Sequence, residues 1–245
     1  MKLKVLSSNS KGNCYVLDNG AEALVIEAGV PLSEVKKAVD FDISRIVGCL
    51  ISHEHSDHAK YADKFVQARI PVFASRGTID ALGSKGKGIE SPGMAFAFEI
   101  GGFKVMQFPV KHDASEPWGF LIQHHEIGTL LFATDTYYLE YKFNGLTNIL
   151  IECNHSNELL KQRFEDGKIT DGQYNRALQS HMNFETCKKT LLANDLSQVN
   201  NIVLIHLSDG NSNAKEFQQG IAQATGKTVH IAEKGLEINI NKTPF

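Results

Sequence analysis

The 245-residue chain is expected to fold as an α/β sandwich, two sheets packed face to face with helices on the outside. Three observations carry this expectation. Short apolar runs alternate with longer amphipathic stretches. The order, strands and then helices, recurs twice. Polar clusters stand where several of the strands end. Nothing reads as a linker, a repeat or a low-complexity tract, so one domain over residues 1–245 is expected, a size that layered α/β folds reach as a unit.

The elements follow in order. Lys2–Leu6, Cys14–Leu17 and Ala23–Ile26 read as an opening meander, with Ser-Asn-Ser-Lys-Gly-Asn and Asp-Asn-Gly as its turns. Pro31 opens a helix to about Val39, because Leu32, Val35 and Val39 recur at helical spacing. Ile46–Ile51 is a buried strand that runs into Ser-His-Glu-His-Ser-Asp-His, and a helix is expected from about His58 to Ala68 before a short strand Val72–Ala74. Phe103–Phe108, Gly119–Gln123, Thr129–Ala133 and Asn148–Glu152 form a second set of strands. Residues from about Asn157 to Asn194 read as helix in two or three pieces, broken near Gly167 and Ser180. Ile202–Ile205 is a strand that stops at His206, a helix runs from about Asn213 to Ala224, and Thr228–Ile231 and Leu236–Ile240 close the chain.

Composition narrows the function. Hydrophobic residues at 42% and charged residues at 22% exclude a disordered or collagen-like chain. No apolar stretch approaches the ~18 residues of a membrane span. A net charge of −3 argues against a general nucleic-acid coat or a basic membrane binder, although a local basic groove stays open. Cys14, Cys49, Cys153 and Cys187 lie far apart with no CxxC pair, and the opening residues lack the apolar core of a secretory signal. A reduced, cytoplasmic setting is expected.

The ten histidines are the unusual feature. His53, His55, Asp57 and His58 fall within six residues as HxHxDH. Alternate residues of an extended segment point the same way, so His53 and His55 can share one metal. The turn into the following helix swings Asp57 and His58 to a second position. Imidazole with carboxylate suits Zn²⁺ and also Mn²⁺ or Fe²⁺. The bland alternative is a solvated polar loop before a helix.

SHEHSDH after a buried strand resembles the signature of the metallo-β-lactamase fold superfamily. The resemblance implies an αββα sandwich with a two-metal site at one edge and further ligands, His, Asp and His, at later strand ends. His112 in KHDASEP, Asp135 in ATDT and His206 in IHLSDGN stand at such ends. The resemblance therefore implies one metal on His53, His55 and His112, a second on Asp57, His58 and His206, and Asp135 as the bridge, with Zn²⁺ or Mn²⁺ as the ions. A true β-lactamase is disfavoured by the missing secretion signal and by Asp57 and His58 at the second position.

LSSNSKGNCYVL, VIEAG, HDASEPWGF, ATDT, ECNHS and IHLSDGN resemble, in the same order and over nearly the whole chain, the YycJ/WalJ nuclease branch of that superfamily. Departures exist. Glu27 stands where that branch usually has aspartate, Ser180-His181-Met182-Asn183 replaces a GHLSN segment, and Glu165–Gln179 differs from the usual stretch. A looser resemblance to the tRNA-maturation endonucleases of this fold implies that Glu152 supports His181 as a proton donor. His155 either lines the site or starts the next helix, and His124, His125 and His230, without a motif, are expected at the surface.

The chemistry implied is phosphodiester hydrolysis. Two divalent ions can clamp an in-line displacement and acidify a bridging water. Set against Asp57, Asp135 and one hydroxide, they leave the centre positive, which attracts an anion. Asp57 would orient or deprotonate the water, and His181, held by Glu152, would protonate the leaving oxygen. A nucleic acid is the expected partner, DNA before RNA, with exonuclease-like action. Ser84-Lys85-Gly86-Lys87-Gly88 reads as a flexible basic loop that could touch phosphates or simply be a solvated turn. Two other readings compete: a thioester, lactone or small-phosphodiester hydrolase on the same fold, and a non-catalytic binding module.

Overall fold

A computed structural model describes residues 1–94 and 97–243. Strands β1 (Lys2–Asn9), β2 (Gly12–Asp18), β3 (Ala23–Ile26), β4 (Ile46–Leu50) and β5 (Val72–Phe73) form the first sheet, and β13 (Glu237–Asn239) returns from the end of the chain to pair with β1. The second sheet takes β6 (Phe98–Ile100), β7 (Phe103–Pro109), β8 (Trp118–His124), β9 (Gly128–Ala133), β10 (Leu146–Glu152), β11 (Asn201–Ile205) and β12 (Thr228–Ile231), in the spatial order 12-11-10-9-8-7-6. Helices α1 (Leu32–Ala38), α2 (Ser56–Ala59), α3 (Ala62–Gln67), α4 (Arg76–Leu82), α5 (Asn157–Glu165), α6 (Asp171–Ser180), α7 (Phe184–Leu192) and α8 (Ala214–Thr225) join them.

The period-two alternation of strand side chains explains the layering. On β3, Leu24 and Ile26 face the second sheet, while Val25 faces the helices. On β9, Leu130 and Phe132 face the first sheet, and Leu131 and Ala133 turn outward. The inner core runs from Leu3, Tyr15 and Leu50 to Phe120, Leu150 and Val203. Val35 of α1 and Phe65 of α3 cover the outside of the first sheet, and Leu191 of α7 and Phe217 of α8 cover the second. The expected αββα sandwich is what forms.

Two local expectations need correction, and two elements are additional. The helix from His58 to Ala68 is two helices, because the Tyr61 N–H donates to the Ala28 carbonyl at 3.0 Å and so leaves the helical ladder. Strand β6 and helix α4 were not legible in the sequence. The basic run at Ser84–Gly88 is tighter than a flexible loop: Gly83–Gly86 is a 3₁₀ turn, and Gly86 is buried against Ile79.

The layout decides where chemistry can sit. β3 and β4 run parallel, as do β9 through β12. Loops that leave the carboxyl ends of parallel strands converge at one edge, the usual place for ligands in such sheets.

Candidate metal centre

Every residue singled out as a ligand stands at that edge. His53 and His55 follow β4, Asp57 and His58 lie in α2, His112 follows β7, Asp135 follows β9, and His206 follows β11. Glu152 is the last residue of β10 and His181 caps the end of α6. Among the described residues four groups have ligand atoms within 4.8 Å of one another, and two of them hold the expected ligands: His53, His55, His112 and Asp135, and Asp57, His58, Asp135 and His206. The others are Asp135, Glu152, His181 and His206, and, away from this edge, His124, His125 and Glu126.

Asp135 belongs to both groups of expected ligands, and its two oxygens divide between them. Oδ2 lies 3.4 Å from His112 Nε2 and 3.8 Å from His53 Nε2. Oδ1 lies 3.4 Å from His58 Nε2 and 3.2 Å from His206 Nδ1. Asp57 Oδ2 closes the second group, 3.2 Å from His58 Nε2 and 3.3 Å from His206 Nε2.

Surrounding groups aim these rings. His112 Nδ1 donates to the Ser180 carbonyl at 2.8 Å, which turns Nε2 into the cluster. His53 Nδ1 pairs with Ser52 Oγ at 2.8 Å, and its Nε2 is buried with no hydrogen-bond partner. Outer hydrogen bonds of this kind set tautomer and orientation for ligating imidazoles. The His206 backbone N–H donates to Ser8 Oγ at 2.8 Å, and the Asn154 side chain donates to its carbonyl at 2.9 Å.

The backbone is bent to deliver these side chains. Asp135 and His206 hold left-handed φ values of 43° and 54°, and Glu27 holds 68°. Each such non-glycine residue costs about 1–2 kcal/mol. Gly29 allows the closest approach, since a Cβ there would collide with the Asp57 carbonyl.

Sequence reasoning missed part of the surround. Glu27 was noted only as a departure from the usual aspartate, yet its Oε1 lies 3.5 Å from His58 Nδ1, both fully buried. Asn13 Nδ2 lies 3.3 Å from Asp57 Oδ2 and 3.1 Å from His58 Nε2. The SNSKGN turn gave no hint of that role. His124 is a correction: it is buried against Glu22, 3.1 Å away, and the Phe103 ring. His125 is exposed and His230 half-buried. His155 is fully buried, and burial holds it near neutral, with a pKa of about 4.

Glu152 links the cluster to His181. Its Oε2 accepts the backbone N–H groups of Thr136 at 2.9 Å and Met182 at 3.0 Å. Its Oε1 takes His181 Nδ1 at 2.7 Å and His206 Nδ1 at 3.1 Å. Burial disfavours a charged His181, but the Glu152 carboxylate outweighs it and raises the pKa. Burial likewise opposes charge on His206, yet Asp135, Asp57 and Glu152 push it up to about 10.

These features fit divalent cations. Carboxylates that draw a proton onto His206 offer the same attraction to a metal ion. The orphaned Nε2 of His53 points a lone pair into the first group, and nitrogen with oxygen donors suits Zn²⁺ or Mn²⁺. A cavity of about 310 Å³ opens over the cluster, lined by His55, Asp57, Asp135, Arg176, His181 and His206 among others.

No helix among the described residues is long and apolar enough to cross a membrane, and the four cysteines are buried and free. The exodeoxyribonuclease YycJ of Bacillus anthracis is 29% identical over 175 residues, covering 66% of each chain. That leaves about a third of the relative's length unmatched. The exodeoxyribonuclease WalJ of Streptococcus pneumoniae (strain D39) is 28% identical over 238 residues, covering 88% of this chain and 84% of that one. Among solved structures, the metallo-beta-lactamase fold protein YhfI from Bacillus subtilis superposes with a TM-score of 0.70 at 15% identity, over 97% of this chain and 99% of the other. The sequence profile of the metallo-beta-lactamase superfamily matches residues 9–136, the span that carries HxHxDH, His112 and Asp135. The chain belongs to the metallo-beta-lactamase superfamily.

Proposed function

We propose that the chain is a phosphodiester hydrolase dependent on two divalent ions, acting on nucleic acid, with DNA favoured and exonuclease-like action. In this reading His53, His55 and His112 hold one ion, Asp57, His58 and His206 hold the other, and Asp135 spans both. The observation that carries it is His181 at the wall of the cavity that Asp135 and Asp57 also line, held from behind by the buried Glu152 at 2.7 Å. The naming of both sequence relatives as exodeoxyribonucleases supports the choice of substrate.

The ions, when bound, supply Lewis acidity and lower the pKa of a water toward about 7. The protein supplies the rest. Asp57, whose side chain is 17% exposed, faces the cavity and is placed to orient the attacking water and take its proton. His181 Nδ1 is held by Glu152, so Nε2 is the atom that delivers a proton to the leaving oxygen. Two backbone N–H bonds keep Glu152 in place throughout.

The test is cleavage of 5′- and 3′-end-labelled single- and double-stranded DNA and RNA by the purified chain with Mn²⁺ or Zn²⁺, beside His112→Ala. Metal-dependent cleavage that disappears in His112→Ala is expected. A chain with two bound ions that leaves every nucleic acid intact, but cleaves a thioester, lactone or small phosphodiester, would overturn the nuclease reading.

A further inference from the structure

The cavity over the cluster does not end there. A second one, about 180 Å³, adjoins it, and Ser10, Arg176, His181 and His206 line both. Among the described residues no carboxylate lines the second cavity. Its remaining polar lining includes Asn154, Gln173, Ser208 and Asn211. Arg176 is the one lysine or arginine lining either cavity among the described residues.

Arg176 is held rather than loose. Arg176 and Ser180 are four residues apart on α6 and share a face. The Ser180 carbonyl accepts from His112 Nδ1 at 2.8 Å, and Arg176 Nε donates to Asp113 Oδ2 at 2.9 Å. Two successive residues, His112 and Asp113, thus grip one face of α6 beside the cluster. The bond through Nε leaves the terminal nitrogens of the guanidinium for another acceptor. A guanidinium meets phosphate oxygens in a two-point fit that an ammonium cannot reproduce. Arg176 also lies within Glu165–Gln179, the segment that departs from the nuclease branch.

We propose that the second cavity receives the leaving portion of the substrate and that Arg176 binds a phosphate carried on it. The inference rests on His181 as proton donor to the leaving oxygen. Whatever is joined to that oxygen lies on the His181 side, and the wall that His181 shares with Arg176 stands between the cluster cavity and the second one, bounding both. The phosphate is either a terminal monoester or the next internucleotide diester, since both present non-bridging oxygens.

The test measures binding of thymidine 3′,5′-bisphosphate and of each thymidine monophosphate to the Mn²⁺-loaded full chain, by calorimetry. The wild type should bind the bisphosphate roughly 10-fold or more tighter than either monophosphate, the size expected for a charge-assisted pair. That ratio should fall toward one in Arg176→Gln and recover in part in Arg176→Lys. Matched thermal midpoints would show that the variants fold. A wild-type ratio of one, or an undiminished ratio in Arg176→Gln, overturns the proposal. Thymidine dinucleotides with and without terminal phosphates separate the two sources: a preference confined to one phosphate-tipped dinucleotide marks a terminal monoester. Cleavage of labelled DNA, run in parallel, tests the nuclease reading alone. A chain that cleaves DNA without an Arg176-dependent ratio loses only this inference, and a chain with the ratio but no cleavage loses only the nuclease reading.

Discussion

The two ends of the sandwich solve the problem of buried charge in opposite ways. At the end where β1 begins, charges meet their opposites within the chain. Asp18 pairs with Lys4 at 2.9 Å and Arg45 at 2.8 Å, and the N-terminal ammonium pairs with Glu126 at 2.7 Å. At the other end, Asp57, Asp135 and Glu152 face imidazoles, and Arg176, among the described residues the one lysine or arginine lining the two cavities that share His181 and His206, is tied to Asp113. The turns differ too. Left-handed non-glycine residues occur at both ends, Asp40 and Phe41 in the turn beside Arg45 at the first and Glu27, Asp135 and His206 at the second, but only those of the second carry candidate ligands and their neighbours. Carboxylates that meet imidazoles rather than lysine or arginine, set around one cavity, mark a surface built for a cationic guest.

The sharpest way to break this contrast is Asp135→Asn. It removes the one carboxylate shared by both ligand groups, so hydrolysis should fall by more than about 1000-fold, with loss of bound metal. Metal content by elemental analysis beside kcat/KM checks both. An active variant holding two ions would remove Asp135 from the bridge.

Chelation should act on one end only. Metal present at about 1000 times its Kd stabilises the folded chain by about 4 kcal/mol, so its removal should lower Tm in the wild type. Asp18→Asn should lose as much on chelation as the wild type does, because Asp18 is at the far end. Calorimetric scans with and without chelator decide it.

His181→Ala should lower kcat by about 100- to 1000-fold while both ions stay bound. If metal is lost instead, His181 is a ligand and Glu152 its support. Rescue by small exogenous imidazoles would sharpen the proton-donor assignment.

The smallest effect belongs to the paired end. Asp18→Asn leaves Lys4 and Arg45 without their partner and should cost about 2 kcal/mol near pH 7, allowing for partial exposure. Burial works against ionising Asp18, but the Lys4 hydrogen bond, with Lys4 and Arg45 as cations, holds its pKa below the usual carboxylate value. A lowered folded pKa means that the stabilisation is present above the unfolded value, near about 3.9, and is lost as pH falls through the folded one. The difference between wild type and Asp18→Asn should therefore shrink in acid. Urea midpoints across that range would show it, and a constant difference would place the cost elsewhere.

The two ends were not equally legible. HxHxDH announced itself because His53 and His55 need only local spacing to share an ion. His112, Asp135 and His206 could be picked out because each closes an apolar strand. Asn13 and Ser8 could not, since their partners Asp57 and His206 lie 44 and 198 residues away. His124 was misplaced at the surface for the same reason: Glu22, its partner, is 102 residues distant. Arg176 sits in a polar helix whose sequence says nothing about which loop it faces.

Strand alternation, helix periodicity and the crowding of imidazole and carboxylate at strand ends are short-range properties, so the order of residues alone determined the layers and the chemical type of the site. The division of Asp135 between two groups, the Glu152 link between His206 and His181, and the grip of His112 and Asp113 on α6 depend on which strand ends become neighbours. That adjacency is set by packing two sheets over a shared core, and its contacts span the whole chain. Only the folded molecule could decide them.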